Sequence, residues 1–432
     1  MRAAGKAYLP QWPNEDPESY KTRLETSVLF PAFSRTISTL TGKPFSKAIT
    51  IGDDVPTQIE EWADDIDLEG RNLDTFAACL MENALGYGLC GILVDYPVKP
   101  DTVKTQADEK AINLRPYFVH IKPDQLIGWI AARENGAWVI KQLRLMECVE
   151  EPDGQFGTKD VKQIRVLEPG KWTTYRQARD NTEQWDLHQQ GVTTLGFIPF
   201  VPVYGERMGF MMGRSPLLEV AHMNVEHWQS ASDQRTILHV ARVPILTISG
   251  IDDDKFRLTL GASAAVKLPM GGEMKYVEHT GAAITAGQND LDKLEERMRQ
   301  AGAELLVIKP GVVTATQVST ENAVGMCALQ RISSGLEDAL DQALEYMATW
   351  AGLGEGGHVS IFDDFASANL SDASAQLIVT AQQAGLISKE TAISELKRRG
   401  TLSSEVDAAE ESDKIDEQGP ELGTLGTGQP AE

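Results

Sequence analysis

The chain has 432 residues, 42 % of them apolar, enough for two or three domains with real cores. Its formal net charge of −23 excludes a broad basic face for nucleic acid, but not a passage that nucleic acid crosses without sticking. No run of 18 apolar residues occurs, and the opening MRAAGKAYLPQW lacks a signal-peptide core, so the sequence reads as a soluble protein that stays where it is made. Cys79, Cys90, Cys148 and Cys327 show no C-x-x-C spacing and read as reduced, mostly buried thiols.

Two short helices are predicted between Pro17 and Phe45. Tyr20, Leu24 and Val28 form one stripe; Phe33, Ile37 and Leu40 form the next after Pro31, with Gly42 and Pro44 as the stop. They pack on this chain or on a neighbour. Asn72 caps a helix carrying Leu73, Phe76 and Leu80, which gives out at Gly86 and Gly88 and runs into the buried-type strand GILVDYP. From Arg115 to Tyr204 the pattern is β, with Pro169-Gly170 turning a hairpin, and short strands at close spacing predict a small barrel or sandwich.

The stretch from Gly213 to Gly250 organises the rest. Ser215 followed by Pro216 reads as a helix N-cap, and Leu218, Ala221, Val225 and Trp228 mark one face of a rod reaching about Val240, roughly 37 Å long. Pro244 ends it, and Ile245 to Ile248 look like a strand stopped by Gly250. Its second half (Ser230, Ser232, Asp233, Gln234, Arg235) is too polar for a core helix and is expected to border another subunit or a water-filled space. A glycine-rich loop-and-strand region follows from Ile251 to Gln288, and Asn289 or Asp290 caps the next helix, with Leu291, Leu294 and Met298 on one side.

LLVIK reads as a strand leading into a threonine-rich loop. A second long helix is predicted from about Ser319 to Trp350, kinked where Ser333, Ser334 and Gly335 adjoin. Leu329, Ile332, Leu336, Leu340, Ala343 and Met347 form its apolar arc, while Asp338, Asp341 and Glu345 lie opposite with Glu337 beside them. That stripe is either an ordinary solvated face or an acidic wall facing a channel. Beyond Gly357 come a strand, HVSIF, and short helices, one starting at Ser388; residues 405–432 carry nine acids and one lysine and read as largely disordered.

Several motifs tempt and fail. GYGLCG matches G-x-G-x-x-G, but here a helix precedes a strand, the reverse of a dinucleotide site, so it reads as a helix-to-strand turn. His222 and His227 sit about 140° apart around a helix and cannot share a metal with Glu226. Gly42-Lys43 is followed by Pro44, so no Walker A exists, and Ser215 lacks the closing glycine of a nucleophile elbow. No catalytic residue, cofactor or metal is predicted.

Taken in order, LTGKPF (Leu40 to Phe45), the helix into GILVDYP, the β-rich segment ending IPFVPVYG, GRSPLLEVAHMNVEHWQSASD with RVPILTISG, LDKLEERMRQAGAELL, TATQVSTENA before a long helix, and AGLISKETAISELKRRG resemble the portal (head–tail connector) proteins of tailed bacteriophages, in a branch typical of short-tailed phages. The resemblance covers roughly residues 15–412. It implies an α+β portal-type fold: an N-terminal helical arm (1–45), a β-rich wing (46–210), a first stem helix and strand (211–250), a clip (251–288), a second stem helix and strand (289–308), a tunnel loop and kinked long helix (309–350), crown helices (351–404) and an acidic tail (405–432).

It further implies a ring of about twelve subunits at one capsid vertex of the virion, assembled in the host cytoplasm, with double-stranded DNA passing through non-specifically. The implied partners are further copies of the chain, the terminase large subunit, a head–tail adaptor protein, and the major capsid protein and scaffold, with no membrane. A DNA conduit should repel phosphates, which makes Asp338, Asp341 and Glu345 the expected acidic lining. Lys309, Thr314, Thr316 and Gln317 are the residues expected to graze DNA from the tunnel loop, unless that loop is merely a link. Replacing Asp338, Asp341 and Glu345 together by lysine is expected to leave folding intact. The rival readings are a capsid or tail adaptor that oligomerises without conducting DNA, and an enzyme whose site assembles from distant residues.

Overall fold

The computed structural model describes residues 1–98, 100, 105, 108, 111–177, 184–242, 245–250, 271–277, 281–307, 326–363, 378–380, 382–383 and 387–398. In chain order the helices are α1 (Pro17–Thr26), α2 (Ala32–Thr41), α3 (Thr57–Trp62), α4 (Leu73–Tyr87), α5 (Leu218–Ala241), α6 (Ala282–Ala303), α7 (Ala328–Ala351) and α8 (Lys389–Arg398). The strands are β1 (Thr50–Ile51), β2 (Leu89–Asp95), β3 (Tyr117–Ile121), β4 (Leu126–Glu134), β5 (Ala137–Asp153), β6 (Gly157–Glu168) and β7 (Lys171–Gln177). They continue as β8 (Trp185–Val192), β9 (Phe200–Tyr204), β10 (Glu206–Gly209), β11 (Met212–Arg214), β12 (Ile245–Ser249), β13 (Glu273–Val277) and β14 (Val359–Ser360). The fold is α+β and forms two compact units: Met1–Ser38 with Pro216–Glu304, and Thr39–Ser215 with the described residues from Leu305 on.

The first unit is built on α5 and α6. They run antiparallel: the Gln234 amide near the end of α5 donates to the Ile284 carbonyl near the start of α6 (2.7 Å), and His227 lies 3.3 Å from Glu295. Val220 and Trp228 of α5 and Leu291, Leu294 and Met298 of α6 are buried. The pair continues into the hairpin β12–β13, in register from Ile245↔Val277 to Ser249↔Glu273.

The N-terminal arm packs on α5 of its own chain. Asn224, only 4 % exposed, accepts from the Phe33 amide and donates to the Phe30 carbonyl, both at 2.9 Å, and so clamps the turn between α1 and α2. Gln229 donates to the Tyr8 carbonyl and Arg235 to the Thr26 carbonyl. Arg23 is buried in an ion pair with Glu15 (2.7 Å), with its guanidinium 4.3 Å from the Trp12 ring centroid. In the polar second half of α5, Asp233, Gln234 and Arg235 find partners inside the chain, and the same half also borders a groove of about 1220 Å³ shared with the arm, the open space that the sequence suggested. Val28 falls outside α1 and is 52 % exposed, so it does not continue the Tyr20 stripe.

In the second unit, Asn72 caps α4 by accepting from the Thr75 amide, and α4 buries Phe76, Leu80, Met81 and Leu85. Gly88 ends the helix with φ +88, in the left-handed region, and a Cβ there would overlap the Arg214 carbonyl carbon. A Cβ on Gly91 would overlap the Phe200 ring. GYGLCG is thus a close crossing of chain segments.

β2 then forms the centre of the three-stranded sheet β3-β2-β9, and β4-β5-β6-β7-β8 make a five-stranded antiparallel meander. The two-residue turn Pro169-Gly170 joins Glu168 to Lys171, with Gly170 at φ +75. No closed barrel forms among the described residues; Leu93, Ile121 and Phe200 of one sheet instead share a core with Ile140, Leu143, Leu145 and Leu167 of the other. The buried face of α7 (Leu329, Ile332, Leu336, Leu340, Ala343, Met347) follows the predicted arc.

Four element boundaries differ from expectation. α5 begins at Leu218, and the Ser215 hydroxyl donates to the Leu85 carbonyl at 2.7 Å. α6 begins at Ala282 after Gly281 (φ +80), so Asn289 and Asp290 lie inside it and the loop-and-strand region ends sooner than 288. Glu304–Leu306 is a 3-10 turn, not the start of a strand. α7 begins at Ala328, where the Cys327 thiol and Gln330 form a reciprocal cap, and it runs unbroken through Ser333, Ser334 and Gly335. The helix at Ser388 starts as expected, with the hydroxyl accepting from the Thr391 amide. Among the described residues no helix is long and apolar enough to cross a membrane.

Candidate functional site

The acidic face of α7 is the one predicted site that the structure describes. Its residues recur every four positions, which stacks Glu337, Asp341 and Glu345 along one line of the helix. The chain leaves α7 at Gly352, in the left-handed region at φ +70, and returns along that line. Glu345 accepts from the Gly356 amide (2.8 Å), Asp341 from the Val359 amide (2.8 Å) and Glu337 from the Ile361 amide (2.6 Å). Beyond them β14 pairs with β1, Thr50 opposite Ser360.

The three carboxylates therefore hold a strand that would otherwise leave three amides unsatisfied. Burial pushes Glu337 and Asp341 above the usual carboxylate range, and the amides they accept from pull the other way. At the rim, exposed His358 is bonded to Asp54, which raises the imidazole and lowers the carboxyl. Of the predicted acidic lining, Asp341 and Glu345 are half-buried with an intramolecular task, and Asp338 is exposed. Replacing all three by lysine would remove two of the three acceptors, so folding of this segment would not stay intact. Lys309, Thr314, Thr316 and Gln317, and the acidic tail, lie outside the described residues.

The other titratable groups of this unit form a polar core. Arg165 of β6 reaches Asp95 of β2 with two bonds, 2.7 and 3.1 Å, with Glu147 at 3.5 Å. Burial pulls the guanidinium down, while Asp95 and Glu147 more than restore it. Tyr117 beside them is pushed up to about 12 by burial and by Asp95, and His120 is pushed down to about 4 by burial. Charged partners on different strands give such a group a structural reading: it ties the two sheets together.

His222 is exposed, while His227 is buried against the Phe30 ring (5.2 Å) and Glu295. Among the described residues no three metal-ligating side chains converge. Sequence reasoning missed the Asn224 clamp, the Arg23–Glu15 pair and the Asp95–Arg165 tie. Only Asp95 left a signal, as an acid ending a run of buried apolar residues.

A family described as "Domain of unknown function (DUF4055)" matches residues 216–351. No curated protein matches the sequence. Among solved structures the chain is similar to one from the neck of an empty GTA particle, 11 % identical, covering 86 % of this chain and 90 % of that one, at a TM-score of 0.44. It is also similar to a chain of the virion of a native gene transfer agent (GTA) particle, 12 % identical, covering 92 % and 97 %, at 0.42. A third, from the neck of the native particle computed with C12 symmetry, is 11 % identical, covering 91 % and 98 %, at 0.43.

Proposed function

We propose that this chain is the ring-forming portal subunit of a tailed-phage head–tail connector, a conduit for double-stranded DNA at one vertex of the capsid. The observation that carries the reading is the helical stalk. α5 and α6 are 24 and 22 residues long, about 36 and 33 Å, and between them in the chain lies a β-strand pair of five residue pairs, about 14 Å along each strand. Among its described residues α6 buries Leu291, Leu294, Met298 and Gly302, leaving most of its circumference exposed or half-exposed. Such a stalk suits a molecule whose copies stand side by side. The ordered sequence resemblance supplies the same reading independently.

In this proposal the terminase large subunit and the head–tail adaptor dock on the ring, the capsid protein and scaffold surround it, and the chain performs no chemistry of its own. About twelve subunits, each at −23, give the ring a repulsive net field that keeps phosphates from adhering to the bore. Among the acids of α7's predicted lining, Asp338 is the exposed one and the candidate to contribute, with Lys309, Thr314, Thr316 and Gln317 as the candidates to graze the DNA. Assembly occurs in the host cytoplasm and the protein ends in the virion.

Electron micrographs of the purified protein, sorted by rotational symmetry, test the proposal. The expected result is a closed ring with a bore of about 20 Å or more, the width of a helical polymer with clearance. A compact monomer at every concentration, in particles as well as in solution, would refute it.

A further inference from the structure

The five-stranded meander is not even along its length. β4 accompanies β5 only as far as Leu145, and β7 accompanies β6 only from Gln163 onward. Between Cys148↔Lys162 and Asp153↔Gly157 the sheet is a two-stranded ribbon among the described residues, projecting by about 17 Å. Isolated two-stranded ribbons are marginal in water, so this one gains from a third surface. Its three-residue turn carries Phe156, 95 % exposed, on a ribbon otherwise dominated by Glu150, Glu151, Asp153, Lys159, Asp160 and Lys162. An aromatic ring at such a tip finds nothing to bury against in its own ribbon.

A matching hollow lies at the other end of the same strand. Trp138, near the start of β5, borders a groove of about 460 Å³ walled by Phe197, Phe200, Phe210 and Tyr346, with Gln342 as its polar member. That volume lies in the range of sites that enclose a small organic group, about 300–1,000 Å³. Trp138 is 49 % exposed and stacks on Phe210 at 5.9 Å, and Phe197 meets Tyr346 at 4.8 Å. Arg133 lies over the Trp138 ring at 5.2 Å. Neither Arg133 nor Asp153, three residues from Phe156, has an ion pair among the described residues, so the edge of the hollow and the base of the tip carry complementary charge.

We propose that the Phe156 tip of one chain seats in the aromatic groove beside Trp138 of a second copy, joining copies head to tail. The decisive geometry is the strand itself. Trp138 and Asp153 are fifteen residues apart on β5, about 50 Å, so a tip cannot enter its own groove. A knob and hole at opposite ends of one strand form a heterologous contact, which generates a closed ring or an open filament. The inference rests on the ring reading only for closure; the contact is a separate claim.

Full-length protein carrying Cys148→Ser, Gln155→Cys and Gln342→Cys, with Phe156 kept, should give a ladder of covalent multimers on mild oxidation. The two single-cysteine versions should give no ladder, and only a covalent dimer when mixed. Phe156→Ser, a change at a fully solvated side chain that leaves the fold alone, should weaken self-association by about 10- to 100-fold by sedimentation, the loss of one buried aromatic ring. Wild-type association by Phe156→Ser and by Trp138→Ala, with no cross-links, would overturn the contact while rings in both would leave the portal reading standing. A wild-type chain that never associates would overturn both. Co-purification of a small apolar ligand filling the groove of a monomer would overturn the contact as well.

Discussion

Replacing Asp341 by alanine is expected to loosen the 356–361 segment from α7 without unfolding either unit. The Asp341 carboxylate accepts the Val359 amide at 2.8 Å, and a hydrogen bond to a charged group contributes about 1.5–3 kcal/mol net. Asp341 is half-exposed, so solvent screening favours the low end, about 1.5 kcal/mol, or roughly a tenfold rise in local opening. Hydrogen exchange of a peptide spanning Gly354 to Asp363 should accelerate by that factor, with peptides from α4 and β2 unchanged.

Asp341→Asn keeps the acceptor and removes the charge. Because burial raises the folded-state pKa of Asp341, the folded chain holds this proton at pH values where the unfolded chain has lost it. Its contribution is therefore fully present below the ordinary carboxylate value of about 3.9 and declines as pH rises through the raised value. The asparagine variant should match or exceed wild type at pH 7 and lose that advantage below about pH 4. Equal exchange in Asp341→Ala and in exposed Asp338→Ala would refute the assignment of Asp341 to holding the returning strand.

Gly88→Ala should destabilise the second unit by about 3 kcal/mol or more, since it adds a Cβ at φ +88 against the Arg214 backbone, and a fall in the urea midpoint would register it. Asn224→Ala leaves the partly buried Phe33 amide without its acceptor and should cost about 1 kcal/mol, seen as faster proteolysis between Ser27 and Arg35. The Arg23 hydrogen bond holds Glu15 below the usual carboxylate range, so its contribution is present above about pH 4.3 and lost as pH falls through the lowered value. Near-ultraviolet circular dichroism should show the arm around Trp12 loosening in that acid window, and Glu15→Gln should loosen it at neutral pH.

What the sequence made legible was local. A cap and a periodic stripe located α4, a Pro-Gly pair located the β6–β7 turn, and three residues at helical spacing located the buried edge of α6. Helix starts were harder, because two of them use unusual means. Cys327 caps with a sulfur, a weak acceptor seldom found there, and α6 starts after a left-handed glycine with no side-chain cap. The acidic stripe of α7 was visible as a stripe, yet its use depends on residues 356–361 doubling back, which periodicity does not encode. The same holds for Asn224, whose partners at Phe30 and Phe33 are nearly two hundred residues away.

Both polar surfaces that seemed to call for an outside partner thus have one inside the chain. The second half of α5 is bonded to the arm and to α6, and two of the three predicted lining acids on α7 are bonded to the strand at 356–361. Satisfied polar groups gain little from a neighbour, since association only exchanges one set of hydrogen bonds for another. The drive to assemble must then come from apolar surface still in water, and must exceed the repulsion between subunits that each carry −23. The second unit places such surface at both ends of β5, Phe156 at one and the Trp138 groove at the other. An apolar contact between flanks and an unbalanced negative charge elsewhere are compatible demands on one chain: in the proposed ring the first would hold copies together, and the second would keep a polyanion passing through the bore from being held.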